Sequence, residues 1–152
     1  GRKKVRLDGD FIRIESFAND DEKMSAVSLP LMAGGPISVT DMPTGNNLKF
    51  FQNEELLALQ KDGFVGQPLE RNFWNANGEI WYGQMSDGSW IIGLFNREQA
   101  PATRSLELQK IGLNGNWSVR DLWKHADEGV INGKVEVIVP AHGCKIIKLT
   151  KK

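Results

Sequence analysis

The sequence predicts a mainly β protein: an antiparallel β-sandwich over residues 66–152, preceded by a short α/β segment over residues 1–65. Three observations lead there. In Glu79–Arg97 (EIWYGQMSDGSWIIGLFNR) two apolar, aromatic-rich stretches flank Ser86-Asp87-Gly88-Ser89. Asp-Gly between such stretches is a strong hairpin signal, because glycine takes the positive φ that the turn needs without strain. Further β-type runs near 72–76, 103–108, 116–123, 134–139 and 143–149, most of them separated by turn residues, have the short regular spacing of a sandwich. Before Gly63 the pattern differs: two helix starts, at Asn19-Asp20-Asp21-Glu22 and Asn53-Glu54-Glu55, alternate with short apolar runs.

In the first segment, Lys3–Asp10 (KKVRLDGD) alternates with Val5 and Leu7 on one side and reads as a short strand ending in a polar loop. Phe11–Phe17 alternates too, and either extends that strand or crosses a surface. Asn19 and the acids after it suit a helix cap and the positive end of the helix dipole. Met24, Val27 and Leu31 then form an apolar stripe. Proline disfavours the helical conformation of the residue before it, so Pro30 is expected to end the helix at Leu29. Pro30–Ala33, closed by Gly34-Gly35-Pro36, is expected to be a buried second strand, making residues 3–36 a βαβ unit. Asp41 to Asn47 is a turn-rich connection, and the second helix carries Leu56, Leu57 and Leu59 to a stop at Gly63.

In the second segment Val135, Val137 and Val139 alternate with Lys134, Glu136 and Ile138. Pro140-Ala141-His142-Gly143 reads as a hairpin turn, with Lys145–Leu149 as the returning strand. Five tryptophans (Trp74, Trp81, Trp90, Trp117 and Trp123) fall in this half. Rings within alternating strands most often fill a core, although an exposed ring can stack on a sugar face.

Composition narrows the partners. A chain of 152 residues suits one domain, or one domain plus a fragment of another. Nineteen acidic and nineteen basic side chains cancel, which leaves no long-range field to draw nucleic acid or an anionic membrane. No segment approaches the ~20 apolar residues of a membrane span, and no signal peptide is legible. Cys144 is the single cysteine, excluding an internal disulfide and a cysteine-rich zinc site.

Candidate chemistry is sparse. His125 and His142 sit in turns without a second ligand at metal-site spacing, and solvated loop residues are the plainer reading. Cys144 has no base nearby in sequence and reads as a small buried hydrophobe. Gly34-Gly35 lacks the Lys-Ser/Thr of a phosphate loop. The pairs Asp20-Asp21 and Glu54-Glu55 are explained by helix capping. Asp8 and Asp10 close a strand that feeds a helix, where ligand contacts gather in parallel α/β folds, with loop capping as the alternative.

Several stretches resemble one known family. Ala26–Ala33 (AVSLPLMA) and Asn53–Gly66 (NEELLALQKDGFVG) resemble the end of the barrel in family 27-type glycoside hydrolases, the α-galactosidases and α-N-acetylgalactosaminidases. There a helix leads into an A-P-L strand. Asp87–Trp90 with Gly93–Arg97 resembles that family's D-G-S…LFNR hairpin, and Val119–His125 with Val139–Gly143 resembles its V-R-D-L-W-x-H…V-P-x-H-G ending. Related bacterial isomalto-dextranases share the wording around Gln52–Leu59 and Trp90–Glu98.

The resemblance implies that residues 1–65 correspond to the last two β/α units of a (β/α)8, or TIM, barrel and that the sandwich follows the barrel. It implies a retaining α-glycoside hydrolase whose two catalytic aspartates lie on earlier barrel strands, outside this chain, so that no residue here is assigned as catalytic or metal-binding and no cofactor is expected. It implies one substrate-binding residue: Asp10 matches the Asp of a D-M pair after the seventh strand, with Phe11 in place of the Met. The partners implied are an α-linked saccharide, held by the full enzyme, and the remainder of the barrel or another copy of the chain; nucleic acid and membrane are not expected. The location implied is secreted or periplasmic, in a bacterium. Two other readings stay open: a stand-alone carbohydrate-binding or structural sandwich, and one chain of a split or oligomeric enzyme.

Overall fold

The computed structural model describes residues 10–42, 45–70 and 79–152. The strand expected over residues 3–10, the β-run near 72–76 and Trp74 fall wholly or almost wholly outside them. Three layers stack: a helical layer, a six-stranded sheet and a two-stranded sheet.

The helical layer starts with β1 (Phe11–Ile12), which pairs parallel with β2 (Ser38–Val39) across α1 (Asp20–Met32). Asn19 caps α1, its side-chain oxygen accepting from the Glu22 amide at 3.0 Å, while the Glu22 carboxylate accepts from the Ala18 amide at 2.9 Å. This reciprocal arrangement satisfies amide groups that a helix start would leave open. The βαβ unit is present, but its second strand is not Pro30–Ala33. Pro30 lies inside α1, and the A-P-L-like run is helical rather than a strand. Proline removes one helical donor, yet Leu31 and Met32 are almost wholly buried, and their packing holds the last turn in place. A short helix α2 (Leu48–Phe51) precedes α3 (Glu54–Asp62), which begins at the Asn53 cap and ends at Gly63 with φ 73°.

The six-stranded sheet has the order β3 (Gln67–Pro68), β4 (Ile80–Gln84), β5 (Trp90–Phe95), β10 (Cys144–Lys151), β7 (Asn116–Asp121), β8 (Ala126–Asn132). The β4–β5 hairpin closes through the Met85 amide donating to the Ser89 carbonyl at 2.8 Å, with Gly88 at φ 83°. Strands β6 (Ala102–Glu107) and β9 (Lys134–Val139) form the third layer. The 140–143 turn is therefore not a hairpin. It carries the chain from β9 in one sheet to β10 in the other, because β9 pairs with β6 while β10 pairs with β5 and β7. Strand β8 escapes the sequence pattern because four of its seven residues in a row, Asp127–Val130, are exposed and it lacks apolar alternation.

Both faces of the central sheet are buried. Ile91, Phe95, Cys144 and Ile146 face the helices and share a core with Val27, Leu31, Met32, Leu56 and Leu59. Ile92, Leu94, Ile147 and Leu149 alternate to the other face and meet Leu106, Val135 and Val139. The four described tryptophans belong to these cores, Trp117 buried and Trp81, Trp90 and Trp123 packed at the margins.

Asn96 fastens the end of β5 to the crossover. It is 2% exposed, and its amide nitrogen lies 2.8, 3.1 and 2.9 Å from the carbonyls of Ala100, Val139 and Pro140. Its oxygen accepts from the Glu98 amide and the Arg104 guanidinium, both at 2.9 Å. Removing the side chain strands buried carbonyls, so Asn96→Ala should lower unfolding free energy by about 2–4 kcal/mol in urea titrations. Ile138→Ala, at a residue 74% exposed, should change it by no more than about 0.5 kcal/mol.

Candidate functional site

The segment Val119–His125 is the joint that binds the helical layer to the sheet. Asp121, 3% exposed, accepts from the amides of Trp123 and Lys124 at 2.9 and 3.0 Å, folding the chain sharply at the end of β7. Four groups within residues 120–125 reach the helices. Arg120 forks onto Glu55 of α3, Nε to Oε2 and Nη2 to Oε1, each at 2.7 Å. The Leu122 carbonyl accepts from the Asn53 side-chain amide at 2.9 Å. Trp123 Nε1 donates to Ser28 Oγ in α1 at 2.9 Å, and His125 Nδ1 lies 2.8 Å from Glu55 Oε1. Asn53 thus does two things with one side chain: its oxygen caps α3 through the Leu56 amide at 3.1 Å and its nitrogen ties the helix to β7.

The charges at the joint are matched. Hydrogen bonding from Arg120, against a smaller opposing effect of burial, holds the Glu55 carboxyl below the ordinary glutamate value, and His125 adds to it. Glu55 in turn raises the Arg120 guanidinium. On the far face, burial works against the Lys145 ammonium, but Asp121 at 2.8 Å and Glu128 at 2.5 Å outweigh it and raise its pKa. Cys144 sits under α1 with its thiol 3.5 Å from Ser28 Oγ, and burial pushes it up to about 11.

The other sequence candidates separate. Asp10 is exposed, takes φ 62°, and accepts from the Phe11 amide at 2.8 Å as the chain enters β1. At the opposite end of the β1–β2 pair, Asp41 accepts from the amides of Ile14 and Glu15. His142 has other neighbours than His125: its carbonyl accepts from Ser25 Oγ of α1 at 2.8 Å, and it borders a largely apolar cleft of about 430 Å³ with Phe17, Leu29, Phe95 and Arg97. Among the described residues no group of three His, Cys, Asp or Glu side chains is placed to hold a metal.

Sequence reasoning missed Ser28 altogether and assigned Glu55 only to capping. The partners of both lie 65 to 116 residues away, and no local pattern points to them. The motifs quoted for the resemblance contained both halves of these pairs, Ser28 and Glu55 as well as Arg120, Trp123 and His125, without showing that they meet.

Comparison with known proteins identifies the arrangement. Residues 75–149 match the family model described as the alpha galactosidase C-terminal beta sandwich domain. The chain carries the C-terminal β-sandwich domain of the α-galactosidase family. Isomalto-dextranase of Arthrobacter globiformis is 36% identical over 161 residues, covering 99% of this chain and 25% of that protein. Alpha-galactosidase 3 of Arabidopsis thaliana is 34% identical over 126 residues, covering 80% of this chain and 28% of that protein. The structure of the Arthrobacter enzyme complexed with panose superposes with a TM-score of 0.87 at 33% identity, covering 96% of this chain and 26% of that chain. Alpha-galactosidase I from Mortierella vinacea shares the fold, with a TM-score of 0.79 at 18% identity over 92% of this chain and 38% of that chain. This family domain and the segment before it thus span about a quarter of the length of the first two relatives.

Two measurements test the joint. Because Glu55 binds its proton more weakly when folded, its contribution is present above about pH 4.5, the ordinary glutamate value, and is lost as pH falls through the lower folded value. Glu55→Gln should therefore cost about 1 kcal/mol at pH 7, a modest figure because the pair is partly exposed, and the difference from wild type should vanish in acid. Native Cys144 should resist a thiol-specific reagent at pH 8 and react fully once unfolded, since little thiolate exists below its raised pKa.

Proposed function

We propose that this chain is the C-terminal portion of a retaining α-glycoside hydrolase, in which the sandwich braces a catalytic barrel completed outside residues 1–152. The shared core between helices and sheet carries the reading. Val27, Leu31, Met32, Leu56 and Leu59 are each no more than 2% exposed, against the same sheet face. Lifting α1 and α3 from it would cost about 1.5–3 kcal/mol for each such side chain. Helices anchored in this way hold whatever strands follow or precede them in a fixed orientation.

The β1–β2 pair supports the same reading. Among the described residues these strands pair only with each other, and a two-stranded parallel sheet leaves an unpaired edge on either side. Parallel strands are normally buried within larger sheets covered by helices, and barrel strands would satisfy both edges here.

The substrate in this reading is an α-linked saccharide, the class named by the isomalto-dextranase and the α-galactosidases that the chain resembles. Hydrolysis would rest on a pair of carboxylates flanking the glycosidic bond, both outside this chain. Asp10 would contribute a charged hydrogen bond to a sugar hydroxyl; its exposure supports this, although it stands at the start of β1 and not at the close of a strand as the sequence pattern suggested. The domain division at about residue 65 belongs to the same proposal, with the α/β segment serving the barrel and the remainder the brace.

The test uses the full-length protein beside the chain. The full-length protein should hydrolyse α-linked glucosides or galactosides, while residues 1–152 alone should not. Asp10→Asn in the full-length enzyme should weaken substrate binding about tenfold to a hundredfold, the loss of one charge-assisted hydrogen bond. Hydrolysis by the isolated chain, or an unchanged KM in Asp10→Asn, would overturn the respective part of the proposal.

A further inference from the structure

The two-stranded β6–β9 layer covers only part of the large sheet, and the margin it leaves has its own chemistry. Strand register places Gln67 opposite Tyr82, and Gln84 opposite Trp90. Side chains alternate along a strand, so these four share the face on which Ile92 and Leu94 are buried beneath β6 and β9. Tyr82 and Trp90 lie at the rim of that core and remain partly exposed, and Gln84 is exposed. The result is a cleft of about 380 Å³ bordered by Val65, Gln67, Tyr82, Gln84 and Trp90.

We propose that this margin is a saccharide-binding site on the sandwich, formed by the Tyr82–Trp90 ring pair and the amides of Gln67 and Gln84. The rings are close to parallel, 19° apart, with centroids separated by 6.3 Å. They stack on one another and both border the cleft, which brings aromatic carbon of the kind against which the C–H face of a pyranose packs. Gln67 Nε2 donates to the Tyr82 hydroxyl at 2.8 Å, which orients that hydroxyl with its own hydrogen directed away from Gln67. Gln84 Nε2 donates to the Gly88 carbonyl at 3.2 Å and so holds its amide oxygen as an acceptor at the other end of the ring pair. Val65, 42% exposed, extends the apolar floor.

The lining selects the ligand class by what it lacks. None of the described residues bordering the cleft is charged, so an anion or a cation would give up its hydration with no countercharge to replace it. A wholly apolar ligand would instead leave the two amides and the tyrosine hydroxyl unmatched. A neutral molecule with one apolar face and a ring of hydroxyls satisfies both sets of groups, and a pyranose sugar is such a molecule. The volume is within the usual range of about 300–1,000 Å³ for small-molecule sites. Binding here requires no catalysis and does not depend on where hydrolysis takes place.

The experiment is calorimetric titration of the full 152-residue chain with panose and, separately, raffinose, to about 10 mM, ten times a Kd of 1 mM. Saturable binding of at least one sugar is expected. Trp90→Ala should weaken it at least about tenfold, the loss of a stacked ring. Since Trp90 also borders the core, two milder variants accompany it. Tyr82→Phe keeps the ring and removes the hydroxyl, and Gln84→Ala alters an exposed side chain; each should weaken binding about threefold to tenfold while the melting temperature stays near that of wild type. Absence of saturable binding by the wild-type chain would overturn the proposal. So would affinity unchanged in all three variants, or affinity lost in Asp10→Ala and retained in Trp90→Ala, which would put the sugar at Asp10. Hydrolysis by the full-length protein is measured separately, so failure of this site leaves the enzyme assignment standing.

Discussion

A β-sheet whose central strands are apolar on both faces must be covered twice, and the rest of the molecule follows from that constraint. In β5 and β10 successive residues Ile91, Ile92 and Ile146, Ile147 point in opposite directions, and each is at most 1% exposed. One cover alone would leave a row of large aliphatic side chains in water, at about 1.5–3 kcal/mol apiece. The β6–β9 layer supplies the first cover and the helices α1 and α3 the second. The α/β segment is thus a structural half of the sandwich's own core rather than an appendage on a linker.

Apolar burial is non-directional, so the registration of the helices falls to polar contacts. Each fastener joins a helix to the sheet, Asn53 to Leu122, Ser28 to Trp123 and Glu55 to Arg120, while Asn96 ties the sheet to the β9–β10 crossover. Among the described residues no buried side-chain polar atom is left without a partner. In a low-dielectric interior an unmatched group is costly, so these contacts reject a shifted helix more strongly than they stabilise the native one. The stretches of sequence shared in wording with the α-galactosidase family, LFNR and VRDLWKH, turn out to hold several of these fasteners.

The same contacts occupy the buried polar side chains among the described residues. Ser28, Asn53 and Asn96 hold layers together, Asp121 shapes the turn after β7, and Ser89 closes the β4–β5 turn through Asp87. In the proposed reading such a domain positions other elements, and at the proposed margin of the sheet neutrality and aromatic side chains favour an uncharged sugar over an ion.

How much of this was legible from residues alone depends on the range of the interaction. The β4–β5 hairpin at Asp87-Gly88, the caps at Asn19 and Asn53, the stop at Gly63 and most strands of the sandwich follow from local stereochemistry, and the local pattern agreed with the fold. Pro30 misled, because the packing of Leu31 and Met32 outweighs the loss of one helical hydrogen bond. The 140–143 turn misled as well, since a turn signal specifies a reversal and not which sheet receives the next strand. Strand β8 gave no alternation because most of it faces water. By itself the sequence determined the class of fold, the majority of its elements and, through its motifs, its family. The tertiary structure alone decided which strands pair, that the helices close the sheet's second face, and that Tyr82, Trp90, Gln67 and Gln84 meet. Those outcomes rest on contacts between residues distant in the chain, whose energies are realised only when the layers pack.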